Sequence, residues 1–404
     1  MVNVHAYPWD VLGDPGFADR VRESGADAVT LAMSYHSTRA ATPLHPQRRF
    51  VDAHHGALYR PVRPSAWAGR RLAPLGPSWM AQPDPGREAA ETLAAAGVAV
   101  NAWIVLAHNS RLGLAFPELA VLNCFGERYP YALCPAQPEV RDHCAVLAAE
   151  ALHDLPTLAS VSLESVGQMG ATHLGCHEKT DGAYPPLAVR ALSVCCCSAC
   201  QTRWRARGLD PAAAVAALRA AAQPGVAFPP GVPPERGAGK QIGAIPDDVA
   251  AVNQTGAAIP DDVAAVLLGV RQEATDELRA AVLAAVRRAA PGALITLHGH
   301  PDPWATGPSP GLTPAAVSDV DAVLVPCWPT AEQTADLVKA TAALGAVVDA
   351  YVSVLPPADL GALPGHVRRL REAGATRLSL YHLGLAPAGL QPVLRQLAKE
   401  FRVA

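Results

Sequence analysis

Charged residues are scarce in this 404-residue chain: Asp, Glu, Lys and Arg make up 17% of it, the net charge is −3, and no basic run occurs. That shortage argues against nucleic acid as a partner, because phosphate binding needs concentrated positive charge. Long apolar runs are lacking as well. Nowhere do about 18 apolar residues follow one another, so no membrane-spanning helix is expected. The opening Met1-Val-Asn-Val-His-Ala-Tyr-Pro-Trp9 has neither the basic segment nor the apolar core of a secretory leader. The expected location is therefore the cytoplasm. Half of the residues are hydrophobic, enough for one large α/β barrel or two ordinary domains.

Nine cysteines are present, and their spacing is not that of a disulfide framework. Four fall within Cys195-Cys-Cys-Ser-Ala-Cys200, and Cys134 stands in a distant Leu-Cys-Pro. Cys195, Cys197 and Cys200, with Cys134 as a fourth thiolate, supply the ligands of a closed tetrahedral zinc site. Cys196 points away from its neighbours in an extended segment and is the expected non-ligand. Cys124, Cys144, Cys176 and Cys327 are scattered, as small buried hydrophobes are. Structural Zn²⁺ is thus the expected cofactor, and a reducing compartment suits it.

Short β-branched runs at 2–5, 28–34, 98–105, 160–164, 293–298, 322–326, 346–353 and 377–382 alternate with alanine-rich helical stretches. The runs are apolar enough to suit strands buried on both faces, and their count predicts a (β/α)₈ TIM barrel over 1–404. A doubly wound sheet is the competing fold. Helices over 331–344 and 364–373 each stop at a glycine, Gly345 and Gly374. Residues 37–85 form a long excursion after strand 2, and His54, His55 and Trp67 make it a candidate lid. A Pro/Gly-rich insertion, 223–262, precedes strand 5 and repeats Ile-Pro-Asp-Asp-Val-Ala-Ala-Val at 245–252 and 259–266. Each copy offers Pro and Asp at a helix start.

Catalytic groups of a barrel lie at the carboxyl ends of its strands. Those ends carry His5, Tyr35, His36, His108, Asn109, Glu164, His298, His300, Trp328, Asp349, Tyr351, Tyr381 and His382, a polar and aromatic rim. Glu164 ends an apolar run, so its partly desolvated carboxyl favours the acid form and suits a general acid; an arginine salt bridge at the rim is the alternative. His177, Glu178 and Lys179 lie between it and the cysteine clip, either as a wall of the site or as a solvated turn.

Phe125-Gly-Glu-Arg-Tyr-Pro-Tyr-Ala-Leu-Cys134-Pro-Ala-Gln-Pro138, a helix, a strand ending in Glu164, then Cys195-x-Cys197-x-x-Cys200 and Gln-Thr-Arg-Trp204 together resemble the zinc-bearing β-galactosidases of glycoside hydrolase family 42. The resemblance covers roughly residues 100–210. It implies a catalytic barrel, one structural zinc beside the active site, and Glu164 as the acid/base. Three departures accompany it. Leu163 stands where the family has asparagine, about thirty residues separate Glu164 from the clip, and no glutamate ends the seventh strand. Asp349 or Glu178 would have to be the second carboxylate, about 5–5.5 Å from Glu164 for retention or 6.5–9.5 Å for inversion.

Three readings follow. In the first, a glycosidase uses Glu164 with Asp349 or Glu178, and Trp103, Trp328, Tyr351 and Tyr381 offer faces to a sugar; the partner is then a small glycoside. In the second, several of His5, His36, His108, His298, His300 and His382 hold a second, catalytic divalent metal for a hydrolase, lyase or isomerase. In the third, the barrel binds sugar without turnover. Family-42 enzymes are often trimers, so a homo-oligomer is the further partner expectation.

Overall fold

Alternation of side-chain character along the strands decides how this chain folds. In Val2-Asn-Val-His-Ala6, Ser160-Val-Ser-Leu-Glu164, Leu294-Ile-Thr-Leu-His298 and Val348-Asp-Ala-Tyr-Val-Ser353, polar or aromatic residues occupy every second place. A strand puts such residues on one face and its Val, Leu and Ile on the other. In the computed structural model, which describes residues 1–173, 180, 183–223 and 258–403, eight parallel strands close into a barrel. They are β1 (Val2–Ala6), β2 (Ala28–Tyr35), β3 (Ala99–Val105), β4 (Ser160–Glu164), β5 (Leu294–His298), β6 (Ala322–Pro326), β7 (Val348–Ser353) and β8 (Ala375–Tyr381). Pairing of β1 with both β8 and β2 completes the closure. Following the registers once around from Glu164 returns to its own strand about eight residues lower, the stagger of a (β/α)₈ barrel.

Helices cover the outside: α1 (Phe17–Ser24), α2 (Pro85–Ala95), α3 (Pro138–Leu152), α4 (Asp261–Ala289), α5 (Ala316–Asp319), α6 (Gln333–Ala343), α7 (Leu363–Glu372) and α8 (Gln391–Val403). Gly345 and Gly374 follow α6 and α7 with φ of 87° and 113°, the left-handed geometry that ends a helix most cheaply at glycine. Val2, Val4, Val161, Leu163, Ile295, Leu297, Leu378 and Leu380 belong to the buried core. The inward residues bond one another instead. Asn101 donates to Thr30 at 3.3 Å, Ser162 meets His298 at 2.9 Å, and Ser379 donates to Asp349 at 3.0 Å. The strands are buried on both faces, as expected; several also place polar residues in the lumen, whereas β6 turns Ala322 and Leu324 inward.

After β2 the chain forms a hairpin of Thr38–Ala41 with Phe50–Ala53, and Ala57–Leu58 pairs antiparallel with β2. Between β4 and α4 lie the helices Pro186–Ser193, Ser198–Ala206 and Pro211–Ala221. The first copy of the repeated octapeptide lies outside the described residues; in the second, Asp261 and Asp262 occupy the first turn of α4. None of the described helices is long and apolar enough to cross a membrane.

A second apolar cluster surrounds the cysteines and takes in Val121, Ala132, Trp204, Leu267 and Val270. It joins the hairpin Ala120–Leu122/Arg128–Leu133 to the three helices after β4. That hairpin rests on the helix Ser110–Ala115, where a Cβ added at Gly113 would sit 1.8 Å from the Pro130 carbonyl oxygen. Backbone cannot yield as a side-chain tip can, so Gly113→Ala is expected to cost about 1–3 kcal/mol. Chemical denaturation of the variant checks this.

Candidate functional site

Glu164 is the last residue of β4 and is 4% exposed. Its Oε2 accepts from Trp103 Nε1 at 2.8 Å and lies 3.7 Å from His298 Nδ1, while 6% of the side-chain surface stays open. Burial pushes its pKa up to about 8, against the opposing pull of the Trp103 hydrogen bond. No arginine pairs with it among the described residues. Ser165, which follows, holds φ at +59° and donates its N–H to the Pro308 carbonyl at 2.9 Å. A non-glycine residue in that region marks a turn fixed by its surroundings.

Six of the rim residues and Trp103 converge here. His5 packs against Trp103 at 4.9 Å and Tyr351 at 4.8 Å between ring centres, and Tyr35 against Trp103 at 4.6 Å. His298 meets Tyr351 at 5.8 Å, and Trp328 stacks on Tyr381 at 5.4 Å. Burial keeps His5 neutral, with a pKa lowered to about 3, and lowers His298 well below its ordinary value. Burial first, and the Glu164 carboxyl among other neighbours, raises Tyr35 and Tyr351 well above 10. The mouth is thus lined by uncharged hydrogen-bonding groups and aromatic faces.

A second group adjoins it. His36 stacks on Tyr35 at 4.1 Å and on His108 at 4.3 Å, and His108 Nε2 lies 2.8 Å from His173 Nε2. Three further expected site residues make local contacts. Asn109 caps the helix Ser110–Ala115 by accepting the Leu112 N–H at 3.1 Å. His300 accepts the Asp302 N–H at 3.0 Å, and His382 is fully buried against Tyr7 at 4.4 Å. His177 and Glu178 lie outside the described residues.

Asp349 is not at a strand end. β7 runs on to Ser353, so Asp349 is its second residue, below Tyr351 in the lumen, with Oδ2 accepting from Ser379. Burial raises its pKa to about 7. Two residues that sequence reasoning passed over stand on the other side of Tyr381. Tyr7 shares a hydrogen bond with the Tyr381 hydroxyl at 3.1 Å, and Asp10, 2% exposed, accepts the Tyr7 N–H at 2.8 Å. Pro8 and Asp10 sit in the first turn of a short helix, Pro8–Val11, and no spacing in the sequence places them beside the mouth.

The four expected cysteines come together. Cys134 Sγ lies 3.7 Å from Cys200 Sγ and 3.7 Å from Cys197 Sγ, and all four sulfurs fall within 4.8 Å of one another. A tetrahedron with Zn–S bonds of about 2.3 Å has edges of about 3.8 Å, so the two 3.7 Å separations match it and the set could hold a metal such as zinc. Cys196 turns its thiol to the Val194 carbonyl instead, and the described cysteines are all free and buried. Among the described residues this is the single group of three or more His, Cys, Asp or Glu ligands placed to share an ion; the rim histidines do not assemble one.

The strands and helices define a (β/α)₈ barrel. Solved structures similar to the chain include an α-L-fucosidase isoenzyme 2 from Paenibacillus thiaminolyticus (12% identity, TM-score 0.55, covering 99% of this chain and 49% of that one). A β-galactosidase from the psychrophilic Marinomonas ef1 shows 12% identity and a TM-score of 0.55 over 100% of this chain and 60% of its own. The catalytic domain of a β-amylase from Paenibacillus polymyxa shows 12% and 0.55, covering 98% and 97%. This chain therefore spans about half to three-fifths of the first two proteins and nearly all of the third. No family model and no curated protein matches the sequence.

Proposed function

We propose that the chain is a glycoside hydrolase in which Glu164 protonates the departing glycosidic oxygen. The observation that carries this reading is the Glu164 carboxyl itself, kept protonated to about pH 8 by burial at the barrel mouth and steadied by Trp103. Asp349 is the second carboxyl in this reading, acting as nucleophile or base from the same inward face of β7 as Tyr351. Trp328, Tyr351 and Tyr381 offer faces to a neutral sugar ring, and His5 and His298 offer neutral imidazoles to its hydroxyls. Zinc held by Cys134, Cys195, Cys197 and Cys200 would supply rigidity to the wall of the site.

Turnover of a panel of nitrophenyl glycosides tests the reading, with release of nitrophenol expected on at least one. A sugar-binding barrel is the second reading, favoured by the depth of Asp349 and its bond to Ser379; retention on immobilised sugars without hydrolysis would establish it. The Trp103 hydrogen bond stabilises the charged form of Glu164, so Trp103→Phe is expected to raise that pKa further. The alkaline limb of the rate profile should then move above about pH 8, and a limb unmoved would remove Trp103 from this role.

A further inference from the structure

A buried arginine lines the same cleft as three of the four clustered cysteines. Four thiolates around a divalent zinc would sum to a net charge of −2, and Cys134, Cys195, Cys197 and Cys200 are 1–6% exposed. Arg271, on the inner side of α4, is 9% exposed. Its Nη1 donates to the Trp304 carbonyl at 3.0 Å and its Nη2 to the Ala305 carbonyl. Among the described residues it has no carboxylate salt bridge. Asp302, the acid that most favours its charge, already faces Arg190 at 3.7 Å. Arg271 lines a narrow cleft, with free space of about 20 Å³, together with Cys134, Cys195, Cys200 and Trp304. A buried cation and a buried dianion are each costly alone and compensate one another when they share a low-dielectric space.

We infer that Arg271 is the counter-charge of the four-cysteine centre and the positioning residue that ties this centre to Glu164. The tie runs through the loop after β5. Arg271 holds the carbonyls of residues 304 and 305 on that loop, and the Pro308 carbonyl of the same loop accepts the Ser165 N–H, next to Glu164. The two loops touch without slack: a Cβ at Gly167 would meet Pro310 at 2.7 Å, and one at Gly170 would meet Thr306 and Ser193 at 2.4 Å. A displacement of residues 304–305 is therefore passed on to the turn that aims the carboxyl. The part of this inference that concerns Glu164 as an acid rests on the proposed function; the charge pairing does not.

Arg271→Gln and Arg271→Lys separate the two roles, because glutamine can still donate to the carbonyls without charge and lysine keeps the charge. The readouts are metal loss to a colorimetric chelator and hydrogen exchange over residues 164–170, on the full zinc-loaded chain. Arg271→Gln is expected to lose zinc about 10- to 100-fold more readily, the usual effect of removing a group that supports metal ligands. Arg271→Lys should hold zinc as wild type does. Exchange over 164–170 should rise in wild type stripped of zinc and in Arg271→Gln once its zinc is lost. Zinc retention in Arg271→Gln equal to wild type overturns the counter-charge, and exchange unchanged after stripping overturns the tie to Glu164. If Arg271→Gln does not fold, Arg271→Lys losing zinc about 10- to 100-fold more readily than wild type is the overturning result. Absence of turnover on every glycoside leaves both readouts standing and counts against the proposed function alone.

Discussion

Cys197→Ser is expected to strip the protein of its metal and to lower its unfolding free energy by about 4 kcal/mol or more, at the exceptional end for one substitution. Serine fills nearly the same space, so packing does not explain a loss of that size. The reason is linkage. The unfolded chain has no preformed site, so a structural zinc's apparent binding free energy, on the order of 10 kcal/mol, is also folding free energy. Here the ligands unite the hairpin bearing Cys134 with the loop and helix bearing Cys195, Cys197 and Cys200, inside an apolar cluster of their own. Metal content by mass spectrometry and thermal melting, measured together, check the outcome. Full zinc with unchanged melting would mean that the four sulfurs meet for reasons of packing alone.

Glu164→Gln is expected to lower turnover by about 100- to 10,000-fold, the usual share of a general acid, with the fold intact. Its effect on stability should run the opposite way above neutral pH. An ordinary glutamate titrates near 4.5, and burial raises Glu164 to about 8. The folded state therefore binds this proton more tightly than the unfolded one. The resulting stability is fully present below about pH 4.5 and is lost as pH rises through about 8. Glutamine cannot titrate, so the variant should melt higher than wild type near pH 9 while remaining inactive. Wild-type turnover should itself fall as pH rises through about 8, where the acid loses its proton. A variant that turns over its glycoside at the wild-type rate would return Glu164 to a structural role.

The barrel was legible because each β-branched run is short, bounded and followed by a helical stretch; 160–164 and 322–326 coincide with β4 and β6 to the residue. The cysteine set was legible because ligand type and spacing leave few other uses for such a clip. The depth of each rim residue was not. Asp349 reads with Tyr351 as terminal although the run 346–353 extends beyond it, and pairing out to Ser353 places it near the start of β7. Asn109 and His300 resemble ligands in type, but their side chains satisfy local backbone N–H groups, a use that sequence spacing does not distinguish from recognition. Asp10 escaped notice because its short helix joins the mouth by a tertiary contact with β8, Tyr7 to Tyr381, from the far end of the chain.

The division of several strands into an apolar outside and a polar lumen has an evolutionary consequence. In most barrels of this kind branched aliphatic side chains fill the interior, so a new ligand pocket must be carved from the packing that folds the protein. Here Asn3, Thr30, Asn101, Ser162, Thr296 and Ser379 occupy inward positions, while the helices draw their hydrophobic purchase from the opposite face. The chemistry of the channel can drift from one specificity to another with little tax on folding, provided each buried polar group keeps a partner. Such a scaffold can diverge far in sequence, discarding an ancestral nucleophile or recruiting a new one, and still close the same eight strands.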